Sequence, residues 1–230
     1  MTDLAGKRIL VTGGTGALGS RIARQLSGAG AQVVLTGRNG AKLQELGISS
    51  ELFTLDLALP GAAESLVNTV TSAGQLDGIV IAHGLVAFGP VSELEVGTLS
   101  TLVAVNETSA IELIRAAIPA LVSAKAAGSD PFIVTISGVI ADMPTAGMAA
   151  YGASKAGLKA FVSAAQRELR REGIRIVDTR PPHTETGLAT RAIAGVAPTM
   201  PEGLSPDAVA TRIVTAITAD EKDVPADAFS

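Results

Sequence analysis

Apolar runs of strand length, rich in β-branched residues, take turns with longer stretches of helical period along nearly the whole chain, and no other feature restricts its fold so strongly. "KRILVTGG" precedes a helix expected from about Ala17 to Ala29, "AQVVLTG" a short one near Ala41 to Leu46, and "ELFTLDL" a third from about Ala62 to Ala73. "DGIVIAHG" comes next, followed by a long helix from about Thr98 to Ala127, the run "PFIVTISG", a helix opened by "YGASK" and reaching about Arg171, and the run "IRIVDTRP". Ser205-Pro206-Asp207 starts one last helix before "AVATRIVTAIT", because proline costs little in a first turn whose N–H groups have no partner to lose. Parallel strands need crossover connections, and the crossovers here are helices. The pattern therefore predicts an α/β fold with a parallel sheet covered on both faces, spanning residues 1–230 as one domain.

Composition narrows the partners. Hydrophobic residues make up 47% of the chain and charged ones 17%, ample for one core. The apolar runs break off long before the ~20 residues that a membrane-spanning helix needs. "MTDLAGKRILVTGG" has no signal-peptide pattern and there is no cysteine, so a cytoplasmic location without membrane attachment is expected. A net charge of −4, with 18 Lys and Arg in no dense block, and only five Phe and one Tyr without any Trp, argue against a nucleic-acid surface. Chemistry on a small molecule is the better expectation.

"VTGGTGALGS" links the first strand to the first helix. Gly13, Gly16 and Gly19 remove Cβ atoms there, and the helix N-terminus that includes Thr15, Ala17 and Leu18 offers backbone N–H groups and a favourable dipole to a pyrophosphate. A tight turn without ligand is the plain alternative. After the second strand, Gly37-Arg38 stands where an acidic residue would take a ribose 2′-hydroxyl; a guanidinium suits a 2′-phosphate, which favours NADP(H) over NAD(H). Asp56 ends the third strand, with a carboxylate able to accept from an adenine amino group or equally to cap the next helix.

Tyr151 is the only tyrosine, and Lys155 follows it by four residues, one turn along the same helix edge. An ammonium beside a phenol lowers its pKa from ~10, which would make the pair a general acid/base, although an ordinary surface contact has the same spacing. Leu99, Leu102, Val103, Asn106, Ala110, Leu113, Ala117 and Leu121 fall on one helical stripe expected to face the sheet. An amide in that stripe needs partners, either in a catalytic network or simply on backbone.

With these motifs in place the chain resembles the classical short-chain dehydrogenases/reductases over nearly its whole length, from "TGGTGALG" through Asp56, Asn106 and "YGASK" to "RPPHTET". The resemblance implies a single Rossmann-type, doubly wound parallel β-sheet of six or seven strands with helices on both faces. It implies that Tyr151 exchanges a proton with substrate oxygen, that Lys155 lowers its pKa and binds the nicotinamide ribose, and that Asn106 orders a water relay. It adds Leu57, Ala82, Gly84, Pro181, Thr184 and Thr186 to the cofactor contacts, the two threonines at the carboxamide. The expected function is an NADP(H)-dependent oxidoreductase moving hydride between nicotinamide and a carbonyl or alcohol, in a homo-oligomer, dimer or tetramer. A catalytically weak NADP(H)-binding sensor or partner protein and a non-redox member of the fold are the alternatives.

Several positions depart from that family. Its substrate-binding serine lies thirteen residues before the tyrosine, which here is Gly138; Ser137 is adjacent, but strand side chains alternate faces, so it would serve only if a bulge re-aims it. The family's N-A-G reads Ala82-His83-Gly84, and its P-G reads Pro181-Pro182. "DVPADAFS" is shorter than the family's glycine-containing last strand, which helps build one dimer interface and puts the tetramer in question. Two histidines are too few for a metal cluster, so no zinc site is expected. His83 reads as a packed residue, whereas His183 and Glu185, beside and within a substrate lid at about 184–204, could touch substrate; the lid's Leu, Ala, Ile, Val and Met content points to a small or moderately apolar substrate.

Overall fold

The structure is a computed structural model and describes residues 1–48 and 50–229. Among these, seven strands form one parallel sheet: β1 (Arg8–Thr12), β2 (Gln32–Gly37), β3 (Ser50–Thr54), β4 (Gly78–Ile81), β5 (Phe132–Ile136), β6 (Arg175–Thr179) and β7 (Asp223–Val224). Their order is β3-β2-β1-β4-β5-β6-β7. The chain winds outward from β1 through β3, then crosses back to lay β4 against the other side of β1, with Ile9 opposite Gly78 and Thr12 opposite Ile81. That reversal opens a crevice beyond the carboxyl ends of β1 and β4.

The helices are α1 (Ala17–Gly28), α2 (Gly40–Glu45), α3 (Ala62–Ser72), α4 (Val96–Val103), α5 (Ser109–Ala126), α6 (Ala149–Leu169) and α7 (Pro206–Thr218). Side chains alternate across each strand, so every central strand feeds two cores. Leu10, Ile79, Ile81, Ile133 and Ile176 pack with α3, α5 and α6, while Ile9, Val11, Val80, Val134 and Val177 pack with α1 and α7. No described helix is long and apolar enough to cross a membrane.

Two expectations change. The long helix is not continuous: α4 and α5 are joined by a π-helical turn over Ala104–Thr108, in which Ser109 N donates to Ala104 O. One extra residue in a turn rotates the residues before it by about 100° relative to those after it. The stripe therefore holds from Leu102 and Asn106 through Ala110, Leu113, Ala117 and Leu121, all buried, whereas Leu99 is 37% exposed and Val103 only partly covered. Asp56 lies two residues beyond the end of β3 and does not cap α3, whose N-cap is Gly61 at φ 75°. The final segment supplies the seventh strand and it is short, as expected: β7 has two residues and pairs Asp178 with Asp223 and Thr179 with Val224.

Candidate active site

A cavity of about 650 Å³ occupies the crevice. Its floor is the glycine turn after β1. Gly13 has φ 65°, and a Cβ there would sit 2.7 Å from His83 N; a Cβ on Gly19 would overlap the Gly13 carbonyl oxygen. Only glycine lets the turn lie this close to the end of β4 and leave α1 pointing its N-terminus at the cavity. No side chain caps α1 and no acidic residue stands in its first turn, so its leading N–H groups suit an anion. Arg38 lines the wall just past β2, exposed and without an ion pair among the described residues. Asp56 and Leu57 line the wall beside it, and Asp56 Oδ1 accepts from Ala58 N at 3.0 Å. A diphosphate cradle with an unpaired guanidinium beside it fits a 2′-phosphorylated dinucleotide.

At the other end, α6 presents Tyr151 and Lys155 to the same cavity. Lys155 is buried, and its Nζ donates to Ile136 O at 2.8 Å. Burial disfavours the ammonium and brings its pKa down to about 8, against the pull of the Asp178 carboxylate. Burial also pushes Tyr151 up to about 12. This corrects the expected direction: the lysine donates to a strand carbonyl rather than to the phenol, and desolvation of the phenolate governs.

Asn106 sits in the π turn with both amide hydrogens engaged. Its Oδ1 accepts from Leu85 N at 2.8 Å, and its Nδ2 donates to Leu85 O at 2.9 Å and Ser154 Oγ at 3.0 Å. Through these bonds the side chain fixes the 84–85 segment against α6. Gly84 makes room for it, because a Cβ there would stand 3.2 Å from Asn106 Oδ1 and 3.5 Å from Lys155 Nζ. His83 is held between two hydroxyls, Thr12 Oγ1 at 2.7 Å from Nδ1 and Ser109 Oγ at 2.8 Å from Nε2. Ser109 gives its own proton to Val105 O, so Nε2 carries the imidazole proton and Nδ1 accepts from Thr12. Burial and the nearby Lys155 charge lower its pKa to about 4 and keep it neutral.

Ser137 does not replace the hydroxyl missing at residue 138. A bulge is present, with the N–H groups of Ser137 and Gly138 both donating to Thr179 O, at 3.1 and 3.2 Å. It turns Gly138 outward at φ 76°, ψ 160°, while the buried Ser137 hydroxyl donates to Asp178 Oδ2 at 2.7 Å. Asp178 Oδ1 accepts from Thr135 Oγ1 at 2.7 Å, and Arg180 bridges Asp178, Asp223 and Asp142 at 3.0, 2.6 and 2.6 Å. Lys159 also pairs with Asp142. This network ties the loop after β5, which supplies Ile140, Thr145 and Met148 to the cavity, to the end of the sheet. It escaped sequence reasoning, yet its signal was present as Asp178 and Arg180, two of the three charged residues inside the apolar run "IRIVDTRP".

The segment after β6 crosses the opening. Pro181, Thr184 and Thr186 line the cavity, but Thr184 Oγ1 donates to Pro182 O and Thr186 Oγ1 accepts from Leu188 N. The base of this segment is closed by a bridge between Thr184 and Leu204. Its middle is docked, because Ile193 N donates to Val86 O and Phe88 N to Ala194 O, each at 2.9 Å. Of the residues singled out from sequence, Thr15, Gly16, Ala17, Leu18, Ala82 and Gly84 also reach the cavity wall, whereas Gly19 and Asn106 stand behind it. Met148, Leu188, Met200 and Phe88 were not foreseen as lining residues, since only the docking of the segment brings them together.

A family model described as short chain dehydrogenase matches residues 7–196. A 3-oxoacyl-[acyl-carrier-protein] reductase of Salmonella typhimurium is 31% identical over 208 residues, 86% of this chain and 83% of that protein. Among solved structures, a metagenomic short-chain oxidoreductase in complex with NADP superposes with a TM-score of 0.79 at 29% identity, covering 97% of this chain and 98% of that one. A short-chain dehydrogenase from Sphingobium yanoikuyae in complex with NADPH gives a TM-score of 0.86 over 95% of this chain and 87% of that one; at 23% identity that likeness is one of fold.

Proposed function

Because the chain belongs to the short-chain dehydrogenase family, we propose that it is an NADP(H)-dependent oxidoreductase acting on a carbonyl or alcohol, with Tyr151 as the group that exchanges the proton. The observation that carries this reading is the meeting of two features in one cavity: the glycine turn with unpaired Arg38 at one end, Tyr151 and Lys155 at the other. When bound, the cofactor supplies a hydride equivalent at its nicotinamide ring. Gly13, Gly16 and the first N–H groups of α1 hold its diphosphate, Arg38 its 2′-phosphate, and the segment from Pro181 to Thr186 its carboxamide end. The segment at 184–204 acts as the lid that selects substrate.

A phenol whose pKa is raised to about 12 stays protonated near neutrality, so Tyr151 stands ready to give its proton to oxygen as negative charge develops there. Burial lowers the Lys155 pKa to about 8, against the opposing pull of Asp178, so its ammonium is still the main form near neutrality and adds positive potential at the same wall. A second reading, a binder of NADP(H) with weak or no turnover, is favoured by one observation: residue 138 has no hydroxyl and Ser137 is engaged elsewhere.

Fluorescence titration with NADPH and NADH, followed by a panel of ketones, aldehydes and quinones, separates the two. Tighter NADPH binding with consumption, abolished in Tyr151→Phe while binding persists, supports the reductase. Binding without consumption over the whole panel supports the second reading, and full activity in Tyr151→Phe removes the proposed proton donor.

A further inference from the structure

The peptide unit between Ile136 and Ser137 is held from both sides. Its N–H donates to Thr179 O at 3.1 Å, and in a trans unit the carbonyl points the other way, where Ile136 O accepts from Lys155 Nζ at 2.8 Å. β4 ends at Ile81, opposite Thr135, so beyond that pair the Ile136 carbonyl is open to a side chain. How firmly this strand end is held therefore sets where the Lys155 ammonium sits.

Asp178 does the holding. Its carboxylate accepts from the hydroxyls of the two residues that flank Ile136, Thr135 Oγ1 and Ser137 Oγ, each at 2.7 Å, and all three residues are buried. Residues 135 and 137 share one face of the strand, which is why a single carboxylate reaches both. A carboxylate taken out of water in this way needs a cation, and Arg180 supplies it at 3.0 Å. Arg180 does not cancel the charge, because it and Lys159 are two cations shared among three carboxylates, those of Asp142, Asp178 and Asp223. The other charged or titratable groups on the elements around Lys155 are the neutral His83 after β4, Tyr151 and Lys159 of α6, and Glu107 of the π turn, whose carboxylate lies against Gly157. Of all these, Asp178 is the group that opposes the effect of burial on Lys155.

Resting on the reductase reading, we infer that Asp178 is a positioning residue for the reaction: through Thr135 and Ser137 it fixes the carbonyl that anchors Lys155, and it supplies the negative charge that balances the buried ammonium. The Ser137 hydroxyl thus serves the site through Asp178 and not at the substrate oxygen.

Two readouts on the whole protein test this. One is the Nζ titration of Lys155 by NMR of protein labelled with 13C,15N-lysine, in which it is one of six lysines and Lys155→Met assigns it. The other is the pH profile of kcat/KM for NADPH-dependent reduction of whichever carbonyl the wild-type protein accepts. Wild type should titrate at about 8 and lose activity above that pH. Asp178→Asn keeps the shape and removes the charge, so both the titration and the alkaline limb should move down by about one unit or more. Its deficit relative to wild type should then be about fivefold larger at pH 8 than at pH 6. A merely structural aspartate would lower activity by one factor at every pH and leave the Lys155 titration in place, and that result overturns the inference. Thr135→Val combined with Ser137→Ala leaves the charge and removes both tethers; it should lower kcat about tenfold or more with the alkaline limb within about half a unit of wild type. Wild-type kcat in this double variant overturns the positioning role, whether or not Asp178→Asn folds. A wild-type protein inert over the whole panel removes the reductase reading, while the NMR titration still decides whether Asp178 balances Lys155.

Discussion

Replacing Gly138 by serine would return a hydroxyl to the strand end, and the backbone sets its cost. At φ 76° and ψ 160° the residue occupies a region open almost only to glycine, where an L side chain costs on the order of 1–3 kcal/mol. Steric overlap adds nothing, since the new Cβ lies 4.0 Å from its nearest neighbour outside the adjoining chain. Relaxing to negative φ would require giving up the bulge in which Ser137 N and Gly138 N share Thr179 O. For a chain of 150–250 residues each kcal/mol is worth about 2–4 °C, so Gly138→Ser should melt roughly 2–12 °C below wild type. Thermal denaturation followed by circular dichroism at fixed protein concentration reads this directly. A variant melting within about 1 °C of wild type would refute the claim that the outward turn is specified by glycine. Exchanging both residues, Ser137→Gly with Gly138→Ser, should be less stable still, because the hydrogen bond to the buried Asp178 carboxylate goes too, a further loss of about 1.5–3 kcal/mol.

Arg38→Ser should weaken NADPH binding about tenfold to a hundredfold through loss of charge-assisted hydrogen bonds, and leave NADH within about twofold; equal losses for both cofactors in titration calorimetry would remove the arginine from the 2′-phosphate. Arg180→Ala leaves the Asp178 carboxylate buried beside the Ser137 and Thr135 hydroxyls without its cation, and should cost about 3–5 kcal/mol in urea denaturation; a loss under about 1 kcal/mol would show the network to be dispensable. His83 titrates near 4 in the folded protein against 6.5 in the unfolded chain, so between those values the unfolded state binds more protons and stability rises with pH. The gain is up to roughly 3 kcal/mol across that window and is complete above about pH 6.5. Comparing urea midpoints of wild type and His83→Asn from about pH 4 to 7 checks it, and an unchanged slope in the variant would place the dependence elsewhere.

The alternation of apolar runs and helical periods was enough to give the layers of this fold, and local spacing was enough to give the glycine turn and the Tyr151–Lys155 helix edge. Each of these is a property of residues within one or two turns of each other, so the pattern survives without knowledge of the rest of the chain. The π turn at Asn106 was not legible, because an α and a π turn differ by one residue in hydrogen-bond register and the choice is made by packing against neighbouring helices. The same holds for the site's chemistry. Ser137 meets an aspartate 41 residues away, and the tip of the lid closes on backbone near residue 88. Desolvation by the assembled walls then overrides the lysine expected to lower the Tyr151 pKa. Sequence by itself determined where the cofactor cradle and the tyrosine lie along the chain. Only the tertiary structure decided which polar groups remain free to act, since burial and pairing depend on what other elements bring to the same place.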